Sequence, residues 1–81
     1  MDTADQIVRP HHYAHYSIEP IDYIMENNLP FYKGSVIKYV SRAGHKLYPN
    51  MDVTQSELMD LNKAIRFCQI RIEQIEAQDN K

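Results

Sequence analysis

The last third of the chain carries the clearest hydrophobic pattern. Its apolar residues recur at alternating spacings of three and four, which is typical of a helix with one continuous apolar stripe. The stripe consists of Leu58, Leu61, Ile65, Cys68, Ile72 and Ile75. Thr54 and Glu57 have the spacing of a capping box, with the threonine as N-cap. The pattern therefore predicts a long helix over residues 54–78 that begins at this cap.

Two shorter helices are predicted before it. Glu19-Pro20 is expected to open the first helix, because proline fits the first helical turn, and Asn27-Asn28 to end it. The second helix is expected to run from about Pro30 or Lys33 to Ala43, with Gly44 as a left-handed C-terminal cap. Its core-facing residues by helical spacing are Val36, Ile37, Val40 and Ala43.

Residues 1–17 have no helical or strand periodicity, and they are interpreted as an extended N-terminal arm. No segment alternates with the period of a strand. The predicted fold class is therefore all-α, a single domain over residues 1–81 built as a small bundle of about three helices.

The length of the third helix raises the question of what covers its stripe. A helix of roughly 24 residues is about 36 Å long, more than two short helices can cover. Either the stripe packs inside the bundle, or its C-terminal half contacts another subunit. A domain of 81 residues with one cysteine has a small core and no intrachain disulfide. These features predict a homo-oligomer that associates through Leu58 to Ile75.

Composition excludes several classes of protein. The apolar runs are too short to span a membrane, and the first nine residues lack the apolar core of a signal peptide. A single unpaired thiol suits a reducing compartment, so we expect a cytoplasmic protein. Cys68 lies on the apolar stripe and is interpreted as a packing residue rather than a nucleophile.

The net charge of −2 conceals a basic segment. Residues 1–26 sum to −4 and residues 52–81 to −2, whereas residues 27–51 hold four cations and no acid. The cations are Lys33, Lys38, Arg42 and Lys46. The segment is too small for a nucleic-acid backbone, which needs a broad basic field, but it matches a few phosphate groups. The alternative is an ordinary solvated helix face.

The N-terminal arm adds candidate chemistry, with three histidines and two tyrosines within six residues: His11, His12, Tyr13, His15 and Tyr16. Histidine can carry a proton or donate to phosphate, and tyrosine can stack on a base. The alternative is a polar arm packed on the domain. The acids Glu19 and Asp60 could orient cations or hold a metal, although Asp60 and Lys63 also have the spacing of a surface ion pair.

Several strings of residues, in order, resemble a family. They are His12-Tyr13, then residues 18–24, then Gly34 to Gly44, then Asp60, Leu61, Lys63, Ala64 and Ile65. They are similar to a small bacteriophage family of unknown function, related to the phage nucleotide kinase that phosphorylates deoxynucleoside monophosphates. The chain departs from that pattern at Ser35, where asparagine is expected, and at His45, where a lysine-rich loop is expected. The resemblance implies a phage origin, a location in the host cytoplasm and deoxynucleotide ligands.

The basic segment, the aromatic arm and the family resemblance together predict one site. Lys38, Arg42 and Lys46 would hold phosphates, a base would stack on Tyr13, Tyr16 or Tyr39, and His12 would carry a proton or donate to phosphate. The catalytic candidates are thus His12, Arg42 and Lys38, and the substrate-binding candidates are the remaining residues of the set: Tyr13, Tyr16, Glu19, Tyr39, Lys46, Asp60 and Lys63.

Two functions follow from this site: a nucleotide kinase, and a nucleotide binder that sequesters a host nucleotide signal. The alternative is a protein-interaction module that uses the apolar stripe and binds no small ligand. No resident metal or cofactor is predicted, and Mg²⁺ with a nucleoside triphosphate donor would be required only by the kinase. The chain has no glycine-rich phosphate loop, since Gly34 and Gly44 are its two glycines.

Overall fold

A computed structural model describes residues 16–80, which form three α-helices and no strand. Helix α1 spans Pro20–Glu26, α2 spans Phe31–Arg42, and α3 spans Val53–Asp79. The predicted all-α bundle with a long C-terminal helix is confirmed. Of the predicted N-terminal arm, residues 1–15 lie outside the described residues.

The junction between α1 and α2 follows the local sequence. Pro20 occupies the start of α1, Asn27 caps its C-terminus, and Asn28 takes a left-handed φ of 50°. Pro30 is the N-cap residue of α2. Gly34 is buried in α2 because α1 crosses it closely: a Cβ added there would lie 3.1 Å from Cγ2 of Ile24. The close approach explains a glycine inside a helix, where its conformational freedom otherwise costs stability.

The connection between α2 and α3 ends in a cap that differs from the prediction. Gly44 has the expected left-handed φ, at 86°. The N-cap of α3 is Asp52 rather than Thr54: its side chain accepts from the backbone N–H of Gln55, and the Gln55 side chain accepts from the N–H of Asp52. Aspartate with glutamine forms the same reciprocal pair as threonine with glutamate. The helix therefore begins earlier, and Glu57 is not a capping residue.

Helix α2 packs on both α1 and α3. It has 12 residues against 27 in α3, so it extends about 18 Å beside a helix of about 40 Å. Residues 72–80, at the C-terminal end of α3, are all exposed.

The packed faces of α2 and α3 are more polar than predicted. The buried side chains there are Ser35 and Arg42 from α2, and Ser56, Asp60 and Ala64 from α3. The prediction that Val40 faces the core is wrong, since this side chain is 51% exposed. Arg42 turns inward instead, because a carboxylate buried on α3 must be paired with a cation.

The apolar stripe of α3 is not its packing face. Leu58, Ile65 and Ile72 are each slightly more than half exposed, and Cys68 is exposed as well. The alternative that the stripe packs inside the bundle, and the interpretation of Cys68 as a packing residue, are therefore wrong. The side of α3 with Ser56 and Ala64 faces α2 because small side chains let the helices approach and leave room for the paired Asp60.

Candidate anion-binding site

A buried ion pair joins the end of α2 to the first half of α3. The Arg42 guanidinium makes two bonds to Asp60, from Nη2 to Oδ1 at 2.8 Å and from Nε to Oδ2 at 3.2 Å. Asp60 is fully buried and Arg42 is 7% exposed. The interpretation of Asp60 and Lys63 as a surface ion pair is wrong, because Asp60 pairs with an arginine from another helix.

Tyr48, in the connection between α2 and α3, completes this pair. Its hydroxyl donates to Oδ1 of Asp60 at 2.5 Å, and it accepts from Nη2 of Arg42 at 2.5 Å and from Nζ of Lys63 at 3.0 Å. Its backbone N–H donates to Oγ of the buried Ser56 at 3.0 Å. Arg42 and Tyr48 thus bond directly to the carboxylate, while Lys63 and Ser56 bond to Tyr48.

Asp60 is ionised at neutral pH. Burial alone would raise the pKa of its carboxyl, but the hydrogen bonds from Arg42 and Tyr48 lower it, and the charges of Arg42 and Lys63 lower it further. The hydrogen bonds and the positive charges together outweigh desolvation, so the pKa of Asp60 lies below its ordinary value.

Four cations gather around two tyrosine rings, and we call them the basic cluster: Lys38, Arg42, Lys46 and Lys63. The Nζ atoms of Lys46 and Lys63 lie 4.5 and 4.7 Å from the centre of the Tyr48 ring. Those of Lys38 and Lys63 lie 5.3 and 5.2 Å from the centre of the Tyr39 ring. The negative faces of the rings hold these cations together.

The pKa of Lys46 is lowered in these surroundings. Burial lowers it, and the positive charge of Arg42 lowers it further, with smaller effects from Lys63 and Lys38. Asp60 acts in the opposite direction but does not compensate. In the part of the chain that the structure describes, Nζ of Lys46 makes no hydrogen bond or ion pair.

The two described tyrosines predicted to stack on a base differ in their surroundings. The Tyr39 ring already stacks on Phe67, with centroids 5.9 Å apart and planes 12° apart, and three cations lie near it. Tyr16 lies at the end of α2, where its hydroxyl donates to the carbonyl of Ser41 at 2.6 Å and its ring meets His45 edge-on. Tyr16 is the more accessible of the two.

The structure brings most of the predicted residues together, but not all. Six of the ten share one site: Lys38, Tyr39, Arg42, Lys46, Asp60 and Lys63. Glu19 is instead the N-cap residue of α1, which packs on α2. His12 and Tyr13 lie outside the described residues. Among residues 16–80, no three histidine, cysteine or acidic side chains are placed to hold a metal ion.

Sequence reasoning missed Tyr48 and Ser56. Ser56, Asp60 and Ala64 recur every four residues, and small residues at this spacing indicate a closely packed helix face around the aspartate. The apolar stripe on the same helix has larger side chains and is therefore the stronger hydrophobic pattern. Tyr48 stands in an irregular connection, where no periodicity indicates which way a side chain points.

Among residues 16–80, no helix combines the length and the apolar composition that a bilayer span requires.

Comparison with known proteins places the chain in a family. Neither a curated protein nor a solved structure matches the chain, and nothing in the comparisons connects it to a nucleotide kinase. A family model described as a protein of unknown function, DUF3310, matches residues 7–69, which include every residue of the basic cluster. The chain therefore belongs to the DUF3310 family.

Proposed function

We propose that this protein binds a nucleotide and holds its phosphate groups at the basic cluster. The observation that carries the proposal is the position of Lys46 and Lys63, whose ammonium groups lie on the same Tyr48 ring within 5 Å of its centre. Both oxygens of the nearby carboxylate, Asp60, already accept from Arg42. An anion from outside the chain would supply the negative charge that balances Lys46 and Lys63.

The buried ion pair indicates different roles for the arginine and the lysines of the basic cluster. Arg42 is almost fully buried and bonded to Asp60 and Tyr48, so its role in the proposal is to position Tyr48 and Lys63. The phosphates would then contact Lys46 and Lys63, with Lys38 beside the neighbouring Tyr39 ring. This role differs from the direct phosphate contact that the sequence predicts for Arg42.

A base rather than a bare polyphosphate is proposed because aromatic side chains flank the cluster. The Tyr16 and His45 rings meet edge-on at the end of α2, and His45 directly precedes Lys46 in sequence. An aromatic ring stacked on a base contributes about 1–3 kcal/mol in favourable cases. Tyr13 and His12 remain predicted contributors from the N-terminal arm.

Phosphoryl transfer to deoxynucleoside monophosphates is the enzymatic form of the same proposal, and sequestration of a host nucleotide is its non-catalytic form. Asp60 has a structural part in either form, because its buried carboxylate accepts hydrogen bonds from Arg42 and Tyr48 within the fold. A phage origin and a location in the host cytoplasm belong to the proposal as well, on the resemblance of the sequence strings.

The test is nucleotide binding by calorimetry with dATP, dTTP, their monophosphates and pyrophosphate. We expect the triphosphates to bind more tightly than the monophosphates, and Lys46→Gln to weaken binding about tenfold or more, since a charge-assisted hydrogen bond contributes about 1.5–3 kcal/mol. Lys33→Gln is the matched control, because Lys33 is exposed on α2 outside the cluster.

Equal affinity of wild type and Lys46→Gln, or no binding of any of these compounds, would refute the proposed site. Chromatography of the incubated nucleotides distinguishes the two forms of the proposal. A ligand recovered unchanged supports sequestration. Conversion of a monophosphate to a diphosphate at the expense of a triphosphate donor would establish the kinase.

We also propose that the protein is a homo-oligomer that associates through α3. The supporting observation is the exposure of the apolar side chains of its stripe on a helix more than twice as long as α2. Light scattering on the purified chain tests this proposal, and a monomer at all concentrations up to the millimolar range would contradict it.

A further inference from the structure

Lys46 and Lys63 lie beside the same tyrosine ring but differ in what their nitrogen atoms contact. Nζ of Lys63 donates a hydrogen bond to the Tyr48 hydroxyl at 3.0 Å. Nζ of Lys46 lies 4.5 Å from the centre of the ring, and no hydrogen bond or ion pair within residues 16–80 holds it. The Lys46 side chain is also only partly buried. A reagent from solution can therefore reach this nitrogen without breaking a hydrogen bond of the fold.

The charges around Lys46 favour the loss of its proton. Burial and three neighbouring cations, Arg42 first among them, lower the pKa of Lys46. Asp60 and the Tyr48 ring favour the ammonium form and partly offset this effect. At a given pH a larger fraction of Lys46 is therefore the neutral, nucleophilic amine than of an ordinary exposed lysine.

We propose that Lys46 is acylated at Nζ by small acyl phosphates, and that this modification weakens the anion-binding site. The inference rests on the proposed anion binding and adds a regulation of the same site. An acyl phosphate combines a phosphate group, which the cations of the basic cluster bind, with an electrophilic carbonyl carbon directly beside it. Phosphate held by Lys63 and Lys38 would present that carbon to Lys46.

The reaction needs no other reactant. The neutral amine of Lys46 attacks the carbonyl carbon, so that an N–C bond forms and the bond from this carbon to the bridging oxygen breaks. Inorganic phosphate leaves with the electron pair of the broken bond, and the extra proton on nitrogen passes to water. Negative charge grows on the departing phosphate, where the ammonium groups of Lys38 and Lys63 stabilise it. Binding of the reagent beside the amine adds the advantage of proximity.

Acylation would change the site through its charge. The product is a neutral amide, so the basic cluster has one cation fewer for the phosphates of a nucleotide. Lys46→Gln removes the same charge. We therefore expect the acetylated protein to bind dATP about tenfold more weakly than the unmodified protein, as Lys46→Gln does.

The test is acetylation of the full chain by acetyl phosphate in mildly alkaline buffer, with the rate at each lysine measured by mass spectrometry of its peptides. Lys46 should react about tenfold or more faster than Lys33, the internal control on the exposed side of α2. Pyrophosphate should slow the reaction at Lys46 and leave Lys33 unchanged. N-hydroxysuccinimidyl acetate, a neutral acyl donor, should show a much smaller preference because it has no phosphate to bind.

Lys46→Arg is the control for the regulatory effect. Arginine keeps the positive charge but is not acetylated by acetyl phosphate. After treatment with this reagent, dATP affinity measured by calorimetry should fall for wild type and stay unchanged for Lys46→Arg. Equal affinities of treated and untreated wild type, in a sample acetylated at Lys46, would overturn the regulatory effect.

The outcomes separate this proposal from nucleotide binding. Equal rates at Lys46 and Lys33, faster reaction at Lys63, or a preference as large with the neutral donor would overturn phosphate-directed acylation. If dATP still bound in such a case, the proposed function would stand. Preferential acetylation of Lys46 that pyrophosphate suppresses, in a protein that binds no nucleotide, would support the modification and refute the nucleotide as ligand.

Discussion

At the residue scale, Asp60 connects the stability of the fold to the geometry of the basic cluster. It accepts hydrogen bonds from Arg42 on α2 and from Tyr48 in the connection, and it is fully buried itself on α3. A buried carboxylate is costly to desolvate, so such a group persists only where donors surround it. Its removal leaves the Arg42 guanidinium buried without a counter-charge.

Replacing Asp60 with asparagine is expected to destabilise the fold by about 3–5 kcal/mol at pH 7, the usual result of breaking a buried ion pair from one side. Urea denaturation followed by circular dichroism measures the free energy of unfolding. The control is Asp79→Asn, at the exposed end of α3, which should change this free energy by less than about 0.5 kcal/mol.

The pH dependence of stability provides a second expectation for Asp60. Because the folded pKa lies below the ordinary value of 3.8, the unfolded chain takes up a proton first on acidification. The stabilisation is therefore complete above that value and is lost as the pH falls through the lower folded pKa. Wild type should lose stability below pH 4, and Asp60→Asn should lack this component. Parallel pH profiles would contradict the assignment.

At the element scale, the start of α3 positions the site. The capping box of Asp52 and Gln55 orders the first turn, and Ser56 follows in that turn to accept from the backbone N–H of Tyr48. The cap therefore fixes the helix and, one residue later, the connection that carries Tyr48. Thr54, the N-cap predicted from sequence, lies inside the helix and is exposed.

Asp52→Ala should lower the free energy of unfolding by about 1 kcal/mol, since it removes a side-chain acceptor from the helix N-terminus. Thr54→Ala should have an effect within about 0.5 kcal/mol, because its side chain caps nothing. Thermal denaturation of the two variants beside wild type compares them directly. A larger loss of stability for Thr54→Ala than for Asp52→Ala would indicate that Thr54 is the N-cap of α3.

At the scale of the whole molecule, charge is distributed unevenly. The chain carries a net charge of −2, yet the basic cluster places four cations around one buried carboxylate. A small acidic protein can therefore attract an anion at short range. It lacks the broad positive field that draws a protein to a nucleic-acid backbone.

Nucleotide affinity is accordingly expected to fall as salt rises, because the Debye length shortens from about 10 Å at 0.1 M to about 3 Å at 1 M. We expect a loss of about tenfold across this range by calorimetry in potassium chloride. Lys46→Gln should show a shallower dependence than wild type, since it has one cation fewer. An affinity that does not change with salt would exclude a phosphate-dominated site.

The sequence by itself determined the helices and much of the site's membership. Pro20, the two asparagines after α1, and Gly44 marked helix ends through their own backbone preferences, and these are local properties of the chain. The acid-free segment likewise pointed to Lys38, Arg42 and Lys46, because charge can be counted without a fold.

Only the tertiary structure decided which faces pack and what each charge meets. The heptad spacing of α3 was correct, but it marked an exposed stripe, because periodicity identifies a face without identifying its partner. Asp60 and Arg42 are separated by 18 residues, and their pairing depends on how two helices cross. Tyr48 joined them from an irregular connection. Asp60, predicted from spacing to form a surface ion pair with Lys63, is instead buried and pairs with Arg42 at the centre of the site.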